Sequence, residues 1–300
     1  MNSTLLKHVE VGTRIPKVIH VTYSRKELPE ILAHNVRSFQ KLNPDWYLRL
    51  YDDHDHKAYI GEHYGQGIFD IYSRIDQRYG PAKADLFRYL LLYNEGGCYV
   101  DVKSGMARPL NDGLRLEDQF LLAQWDNGEG GRNPRAGLWG DVAGVPGGEY
   151  QQWHVISVAG HPFLRAVILR VLENIAAYRP ECAGVGKIGV LRVTGPIAYT
   201  LAIEEIRQRY PYRFVDPEKD LGISYSIFPD RGNANEHAKV FPVHYSKLTH
   251  PVVVLSIQRR IMWNVYLLGG RLSLKLQGLF GEQQVRSIVS LVKKVLRMRS

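Results

Sequence analysis

The sequence has little cysteine and no long apolar run near its first residue. Only two of its 300 residues are cysteines, Cys98 and Cys182, and neither belongs to a metal-type or disulfide-type spacing. Residues 1–11 contain no apolar stretch long enough for a signal peptide or a membrane anchor. The sequence therefore favours a reducing compartment, and we expect a cytoplasmic protein.

Acidic residues are almost absent from residues 246–300, where ten lysines or arginines meet one acid, Glu282. The first 245 residues hold 29 charges of each sign, so the net charge of +9 belongs to this tail. Apolar residues recur there at helical spacing: Val285, Ile288, Val289, Val292, Val295 and Leu296. The pattern predicts a basic amphipathic helix over residues 282–300 that binds an anionic membrane surface. The alternative is a helix docked on its own domain. Nucleic-acid binding is not predicted, because no known binding motif accompanies the charge.

The rest of the chain alternates between segments typical of strands and segments typical of helices. Strands are predicted at 18–22, 46–51, 98–100, 120–124 and 153–158, and helices at 28–42, 54–64, 67–79, 81–95, 162–178 and 195–209. This alternation predicts an α/β fold. Residues 126–150 contain eight glycines and little periodicity, which predicts a long mobile loop and a candidate lid. We expect one domain over residues 1–250 and a helical, basic extension over residues 251–300.

The most informative segment is residues 81–105. It has the pattern of a helix, a two-glycine turn, a short apolar strand and a carboxylate, Asp101, at the strand's end. Asp85, Arg88 and Tyr89 are three and four residues apart, so they share one helix face. In open α/β sheets, ligands bind beyond the carboxyl ends of strands. The segment therefore predicts a ligand site at Asp101.

This segment closely resembles the DXD-motif sugar transferases of glycosyltransferase family 32, whose pattern is roughly A-x-x-S-D-x-x-R-Y-x-x-L-Y-x-x-G-G-x-Y-x-D-x-D. The matching positions are Asp85, Arg88, Tyr89, Leu92, Tyr93, Gly96, Gly97, Tyr99 and Asp101. Ala84 replaces the usual serine, and Lys103 replaces the second aspartate of the D-x-D. Similar landmarks occur at residues 15–20, 43–44, 51–53, 160–164, 194–196 and 241–246. The resemblance implies a GT-A fold, with a mostly parallel central sheet flanked by helices.

The resemblance also implies an activity. A retaining enzyme would move a hexose or N-acetylhexosamine from a nucleotide diphosphate sugar to a hydroxyl of a glycan or of a lipid-linked oligosaccharide. Golgi members carry an N-terminal membrane helix, so its absence favours a bacterial enzyme of capsule or other surface polysaccharide synthesis. Such an enzyme would be cytoplasmic or peripheral on the inner face of the membrane. Two alternatives stay open: an inactive protein that binds sugar nucleotides, and a membrane-surface scaffold.

Residue roles follow from the resemblance. The donor-binding candidates are His20, Tyr23, Asp85, Arg88, Tyr89 and Asp101, of which Asp85 and Arg88 would bind sugar hydroxyls. A carboxylate accepts from hydroxyls and a guanidinium donates a fork of bonds, so that pair suits a polyol. For Tyr23, core packing is the alternative role. The acceptor-side candidates follow the glycine-rich loop and are Gln152, Trp153 and His154, for which an ordinary strand entry is the alternative.

The predicted catalytic residues are Asp101, Lys103, Asp85 and Arg88. A departing diphosphate needs a nearby cation, and the resemblance implies Mn²⁺ or Mg²⁺ held by the D-x-D carboxylates. An ammonium group cannot ligate a metal, so Lys103 leaves two alternatives. Either Lys103 itself supplies positive charge to the diphosphate, or it points away and Asp101, water and His244 hold the ion.

Overall fold

The computed structural model describes residues 5–228 and 245–277, with side-chain environments through residue 269. Its strands are β1 (Val18–Thr22), β2 (Tyr47–Tyr51), β3 (Gly97–Val100), β4 (Gly105–Met106), β5 (Phe120–Leu122), β6 (His154–Ser157), β7 (Arg213–Phe214) and β8 (Ile223–Ser224). Its helices are α1 (Glu30–Leu42), α2 (Asp53–Ser73), α3 (Gly80–Glu95), α4 (Pro162–Ala176), α5 (Pro180–Ala183), α6 (Gly186–Val193), α7 (Pro196–Glu204), α8 (Pro217–Leu221) and α9 (Ile257–Gln277).

The main sheet has six strands in the order β2-β1-β3-β6-β5-β7. Strand β1 pairs in parallel with both β2 and β3, and β7 pairs in parallel with β5. Only β6 among these six runs the other way, because it is antiparallel to both β3 and β5. Helices pack on this sheet, and β4 and β8 form a separate two-stranded ribbon. The predicted α/β class, with a mostly parallel sheet flanked by helices, is confirmed.

Helix α3 lies in the centre of the larger hydrophobic core. Leu86, Phe87, Leu90 and Leu91 have no exposed surface, so both flanks of the helix are covered by other elements. A helix buried on nearly all sides also buries its polar residues. Burying a charge is expensive unless a partner compensates it. The placement of α3 therefore forces its charged residues to find partners inside the protein.

The turn from α3 to β3 requires its two glycines. Gly96 has φ +70° and Gly97 has φ +105°, in the left-handed region that side chains disfavour. A Cβ on Gly96 would lie 2.6 Å from the Ala159 amide nitrogen, and one on Gly97 would lie 2.8 Å from the Val18 carbonyl oxygen. This tight turn directs the chain from α3 straight into the sheet.

Several predicted boundaries differ from those observed. The two helices predicted at 54–64 and 67–79 form α2, which is kinked at Gly65 and ends at Ser73. Helix α7 ends at Glu204, earlier than predicted, and α6 was not predicted.

Residues 126–150 are irregular, as predicted, apart from a short 3₁₀ segment, Gly140–Val142. Side-chain hydrogen bonds hold this segment in place. Glu149 accepts from the indoles of Trp125 and Trp139, at 2.9 and 2.6 Å. The lid role stays a prediction.

The described C-terminal residues begin against the core. Val252 and Val253 are fully buried, and Val253 forms an antiparallel bridge with Ile75. The predicted division near residue 250 stays a prediction. The predicted membrane-binding helix at 282–300 and His244 both fall outside the described residues. Within the described ranges, no helix combines the length and apolar composition needed to cross a membrane.

Candidate functional site

Asp101 stands directly after β3, where three parallel strands end at one edge of the sheet. Its amide donates to the Trp153 carbonyl oxygen at 2.8 Å, which extends the β3–β6 pairing by one residue. The Asp101 side chain keeps 24% of its surface exposed. This is the position that the sequence predicts for a ligand-binding carboxylate.

Arg88 links Asp101 to Asp85. Its Nη1 lies 3.3 Å from Asp101 Oδ1, and its Nη2 lies 3.2 Å from Asp85 Oδ1. Nη1 also donates to the backbone and side-chain oxygens of Gln152, at 2.7 and 2.9 Å. The guanidinium lies 4.3 Å from the centre of the Tyr99 ring. A single buried cation thus joins the two carboxylates of the motif.

Asp85 is compensated entirely by contacts within the protein. It accepts from Thr194 Oγ1 at 2.9 Å and from Gln152 Nε2 at 3.1 Å, besides pairing with Arg88. Burial raises the pKa of Asp85, and the positive charge of Arg88 is the largest opposing influence. Because only 4% of its side chain is exposed, Asp85 forms the innermost part of the site.

A hydrogen-bond chain orients the Asp101 carboxylate. The Tyr99 hydroxyl donates to Asp101 Oδ1 at 3.2 Å. It lies 2.9 Å from Thr22 Oγ1, and because its proton is engaged with Asp101, Thr22 is the donor of that second bond. Strands β1 and β3 therefore both help to fix Asp101.

Lys103 lies on the loop after β3 and is held by an aromatic side chain. Its Nζ donates to the Tyr225 hydroxyl at 2.9 Å and lies 4.1 Å from the centre of that ring. The Asn35 amide holds the loop by donating to the carbonyl oxygens of Val102 and Ser104, at 3.0 and 2.7 Å. The ammonium group is thus fixed two residues from Asp101.

The three acceptor-side candidates lie in different environments. Gln152 belongs to the cluster itself, because it contacts Asp85 and Arg88 directly. The Trp153 side chain is buried, with its ring 5.6 Å from that of Tyr225. His154 is also buried, and burial lowers its pKa to about 3. The acceptor-side role of all three stays a prediction.

Of the three remaining donor-side candidates, Tyr89 joins the cluster directly. The Tyr89 hydroxyl lies 3.2 Å from Gln152 Oε1 and 3.0 Å from the Thr194 carbonyl oxygen, within the cluster. Tyr23 follows β1 at the same sheet edge as Asp101 and is partly buried.

His20 lies inside the sheet layer instead. Its ring nitrogens lie 3.1 Å from the Tyr51 hydroxyl and 3.0 Å from the Gly96 carbonyl oxygen, and it has no exposed surface. Burial lowers the pKa of His20 to about 4. These contacts make it a support for the glycine turn, and its donor-binding role stays a prediction.

Among the described residues, Asp101 belongs to no group of three metal-type side chains, and the Mn²⁺ or Mg²⁺ ion stays a prediction. The charges of Asp85, Asp101, Arg88 and Lys103 cancel, whereas a carboxylate at position 103 would leave an excess negative charge. Among the described residues, the one group of three metal-type side chains lies elsewhere: Asp52, His54 and Asp55. Asp52 caps α2 there, and Asp55 pairs with Lys26. His244, the other predicted ligand, falls outside the described residues.

Sequence reasoning missed two contributors to the site. Residues 194–196 stood out only as a landmark of the resemblance, yet Thr194 donates to Asp85. Tyr225 positions Lys103, and no signal in the sequence pointed to it.

Residues 29–121 match the family model described as "Glycosyltransferase sugar-binding region containing DXD motif". Inositol phosphoceramide mannosyltransferase 2 of Schizosaccharomyces pombe is 26% identical over 199 residues, covering 66% of this chain and 48% of that protein. A mannosyl phosphorylinositol ceramide synthase of Saccharomyces cerevisiae is 32% identical over 219 residues, covering 71% of this chain and 50% of that protein.

The chain thus spans about half the length of these curated relatives. The PaToxG glycosyltransferase structure superposes with a TM-score of 0.43 and 16% identity, covering 65% of this chain and 71% of that chain. The predicted relationship to the DXD-motif glycosyltransferases is confirmed by the family match and the two fungal relatives.

Proposed function

We propose that this protein, a relative of the DXD-motif glycosyltransferases, transfers a sugar from a nucleotide diphosphate donor to an acceptor hydroxyl. One observation carries the proposal: Arg88 joins Asp101, at the carboxyl end of β3, to Asp85. These three residues are the charged positions of the family pattern that this sequence retains. Paired carboxylates and a guanidinium offer the acceptors and donors that a polyol requires.

The exposure of each residue suggests how the donor is held. Asp101 is the accessible carboxylate, so it contacts the donor at the mouth of the site, close to the ribose. Asp85 and Arg88 are 4% and 5% exposed, so they would contact the sugar hydroxyls from the interior side of the site. Tyr23, at the same sheet edge, is a candidate contact for the base.

Lys103 is our candidate for stabilising the leaving group. A nucleoside diphosphate departs with growing negative charge, and a fixed cation in a partly desolvated site stabilises that charge. The contact with Tyr225 holds the Lys103 ammonium group in place. The alternative is a metal held by Asp101 and His244, and we derive no step through it.

Retention of anomeric configuration is part of the proposal. Asp85 is enclosed by Arg88, Thr194 and Gln152, which leaves it poorly placed to attack a sugar carbon. The acceptor hydroxyl would instead attack from the face that the diphosphate leaves. Its proton would pass to the departing phosphate oxygen.

The relatives narrow the substrates that we propose. The two fungal proteins are named as an inositol phosphoceramide mannosyltransferase and a mannosyl phosphorylinositol ceramide synthase. We therefore favour mannose as the hexose and a glycolipid hydroxyl as the acceptor. A lipid-linked oligosaccharide of bacterial surface polysaccharide remains the prediction from the sequence.

A donor-hydrolysis panel tests the proposal. UDP- and GDP-sugars would each be incubated with the protein, with Mn²⁺ and with EDTA, and sugar release measured. We expect one donor to turn over. Asp101→Asn should lower that rate roughly 100-fold or more. Asp45→Asn, at a side chain that is 69% exposed in an ion pair with Lys17, is the matched control and should leave the rate unchanged.

The same panel distinguishes between Lys103 and a metal ion as the cation that stabilises the departing diphosphate. Turnover that survives EDTA and is lost in Lys103→Met would support the lysine. Lys219→Met, at a side chain that is 74% exposed, is the control. Turnover that strictly requires Mn²⁺ would support the metal instead.

Because Lys103 replaces the second aspartate of the D-x-D, a second candidate function is also favoured: binding of sugar nucleotides without transfer of the sugar. Calorimetric binding of one nucleotide sugar, without turnover when candidate acceptors are supplied, would favour it. Equal activity of Asp101→Asn and the parent would contradict the site itself.

A further inference from the structure

Exposed apolar side chains are concentrated on helix α9. Among the described residues, fifteen large hydrophobic side chains are exposed, and seven of them lie between Ile257 and Leu268. Scattered exposed apolar residues are ordinary, but a contiguous group marks an interaction surface. The helix therefore presents a surface that the described fold does not bury.

Four of these seven side chains form a stripe along the helix. The stripe consists of Ile257, Ile261, Val265 and Leu268, which are 76%, 60%, 44% and 56% exposed. Spacings of four, four and three residues place them in line along an α-helix. We call this set of four residues the outer face of α9.

The opposite side of the helix is attached to the protein. Arg259 donates to the Tyr178 carbonyl oxygen, and Trp263 packs against the larger core. At about 100° per residue, Ile261 and Val265 each lie about 200° around the helix from Trp263. The outer face is thus directed away from the domain, which is the reverse of an ordinary surface helix.

Charge indicates what covers this face. Helix α9 contains four basic residues, Arg259, Arg260, Arg271 and Lys275, and no acidic one. No acid occurs anywhere in residues 246–281. An apolar stripe on a helix whose charged residues are all cations is the composition of helices that lie in the headgroup region of anionic bilayers.

We propose that the outer face of α9 binds an anionic lipid surface. The helix would lie along the membrane, with the stripe in the acyl boundary and Arg260 among the headgroups. This site differs from the predicted one at 282–300 and does not depend on the proposed transferase activity. It would hold the rest of the domain against the bilayer through Trp263 and Arg259.

Vesicle sedimentation with the full chain tests the proposal. The probes are phosphatidylcholine vesicles and vesicles that also contain phosphatidylglycerol. We expect stronger binding to the anionic vesicles. Ile261→Glu should lower the partition coefficient roughly tenfold or more, because it removes buried apolar surface and adds a repelled charge. Leu116→Glu, at a position that is 80% exposed elsewhere, is the matched control and should bind like the parent.

A second variant separates the charge from the apolar stripe. Arg260→Gln should weaken binding to the anionic vesicles about fivefold, as expected for one basic residue near a charged surface. It should leave binding to phosphatidylcholine vesicles unchanged. Equal binding of Ile261→Glu and the parent, or no binding by the parent, would overturn the proposal.

Two other occupants give distinct results. If light scattering shows a dimer that Ile261→Glu converts to a monomer, a second copy covers the face. If Ile261→Glu, unlike Leu116→Glu, lowers the thermal unfolding midpoint, the chain's own C-terminal residues cover it. Either result would overturn the lipid proposal.

Discussion

The cluster around Arg88 and the outer face of α9 are built in opposite ways. In the cluster, charged side chains are buried, and the cation contacts carboxylates on both sides. On α9, apolar side chains meet solvent and the charges have one sign. The cluster is therefore organised by contacts within the chain before any ligand binds. The helix face needs an external partner before its apolar side chains are buried.

The largest expected effect comes from removing the buried cation. Arg88→Ala should lower the free energy of unfolding by about 3–5 kcal/mol, because it removes the cation that pairs with both Asp85 and Asp101. Arg49→Ala removes an arginine that is 54% exposed in its pair with Glu95 and should cost less than about 1 kcal/mol. Urea unfolding measures both. Equal losses would show that the Arg88 cluster is not a coupled buried unit.

Acid should destabilise the buried interior, whereas α9 contains no acidic residue and no histidine. Burial lowers the pKa of His154 to about 3. Below pH 6.5, this histidine therefore binds a proton in the unfolded chain but not in the folded protein. Stability is therefore lost as the pH falls from 6.5 towards 3. His154→Gln should reduce the slope of stability against pH by about 1.4 kcal/mol per unit between pH 6 and 4.5.

His34, an exposed histidine on α1, supplies the control for that measurement. His34→Gln is the matched substitution, made at an exposed position and measured in the same way. An unchanged slope in His154→Gln would mean that this ring is accessible to protons in the folded state.

The smallest expected effect concerns the outer face of α9. Leu268→Ala should change the unfolding free energy by less than about 0.5 kcal/mol, because the side chain is 56% exposed. Leu90→Ala, at a position with no exposure, should cost about 2–5 kcal/mol through the cavity it creates. Thermal unfolding of both variants sharpens the comparison. A loss near 2 kcal/mol in Leu268→Ala would mean that the face is already covered.

The sequence predicted the part of the site that is local in the chain. Asp85, Arg88 and Asp101 lie within one helix–turn–strand unit, so helical spacing and the glycine turn were enough to bring them together. The contacts from Gln152, Thr194 and Tyr225 were not predictable in the same way. They join residues 63 to 122 positions apart, and their geometry depends on how β6, α6 and the segment after β8 pack.

The fold shows the same division between local and distant information. The longer strands and helices followed from periodicity, whereas β4, β7 and β8 have only two residues each, too few to show a period. The outer face of α9 has a clear helical period in the sequence. Only the position of Trp263 against the core shows that this period is directed outward.

The bridge formed by Arg88 has a consequence for how such sequences change over generations. Because one guanidinium serves both Asp85 and Asp101, a substitution at Arg88 leaves two carboxylates without their shared cation. Intermediate sequences that keep both carboxylates and lose the arginine would be poorly stable and quickly eliminated. Arg88 should therefore be retained wherever both carboxylates are retained. Lys103 lies outside that bridge, so a substitution there would leave the contacts of Arg88 intact.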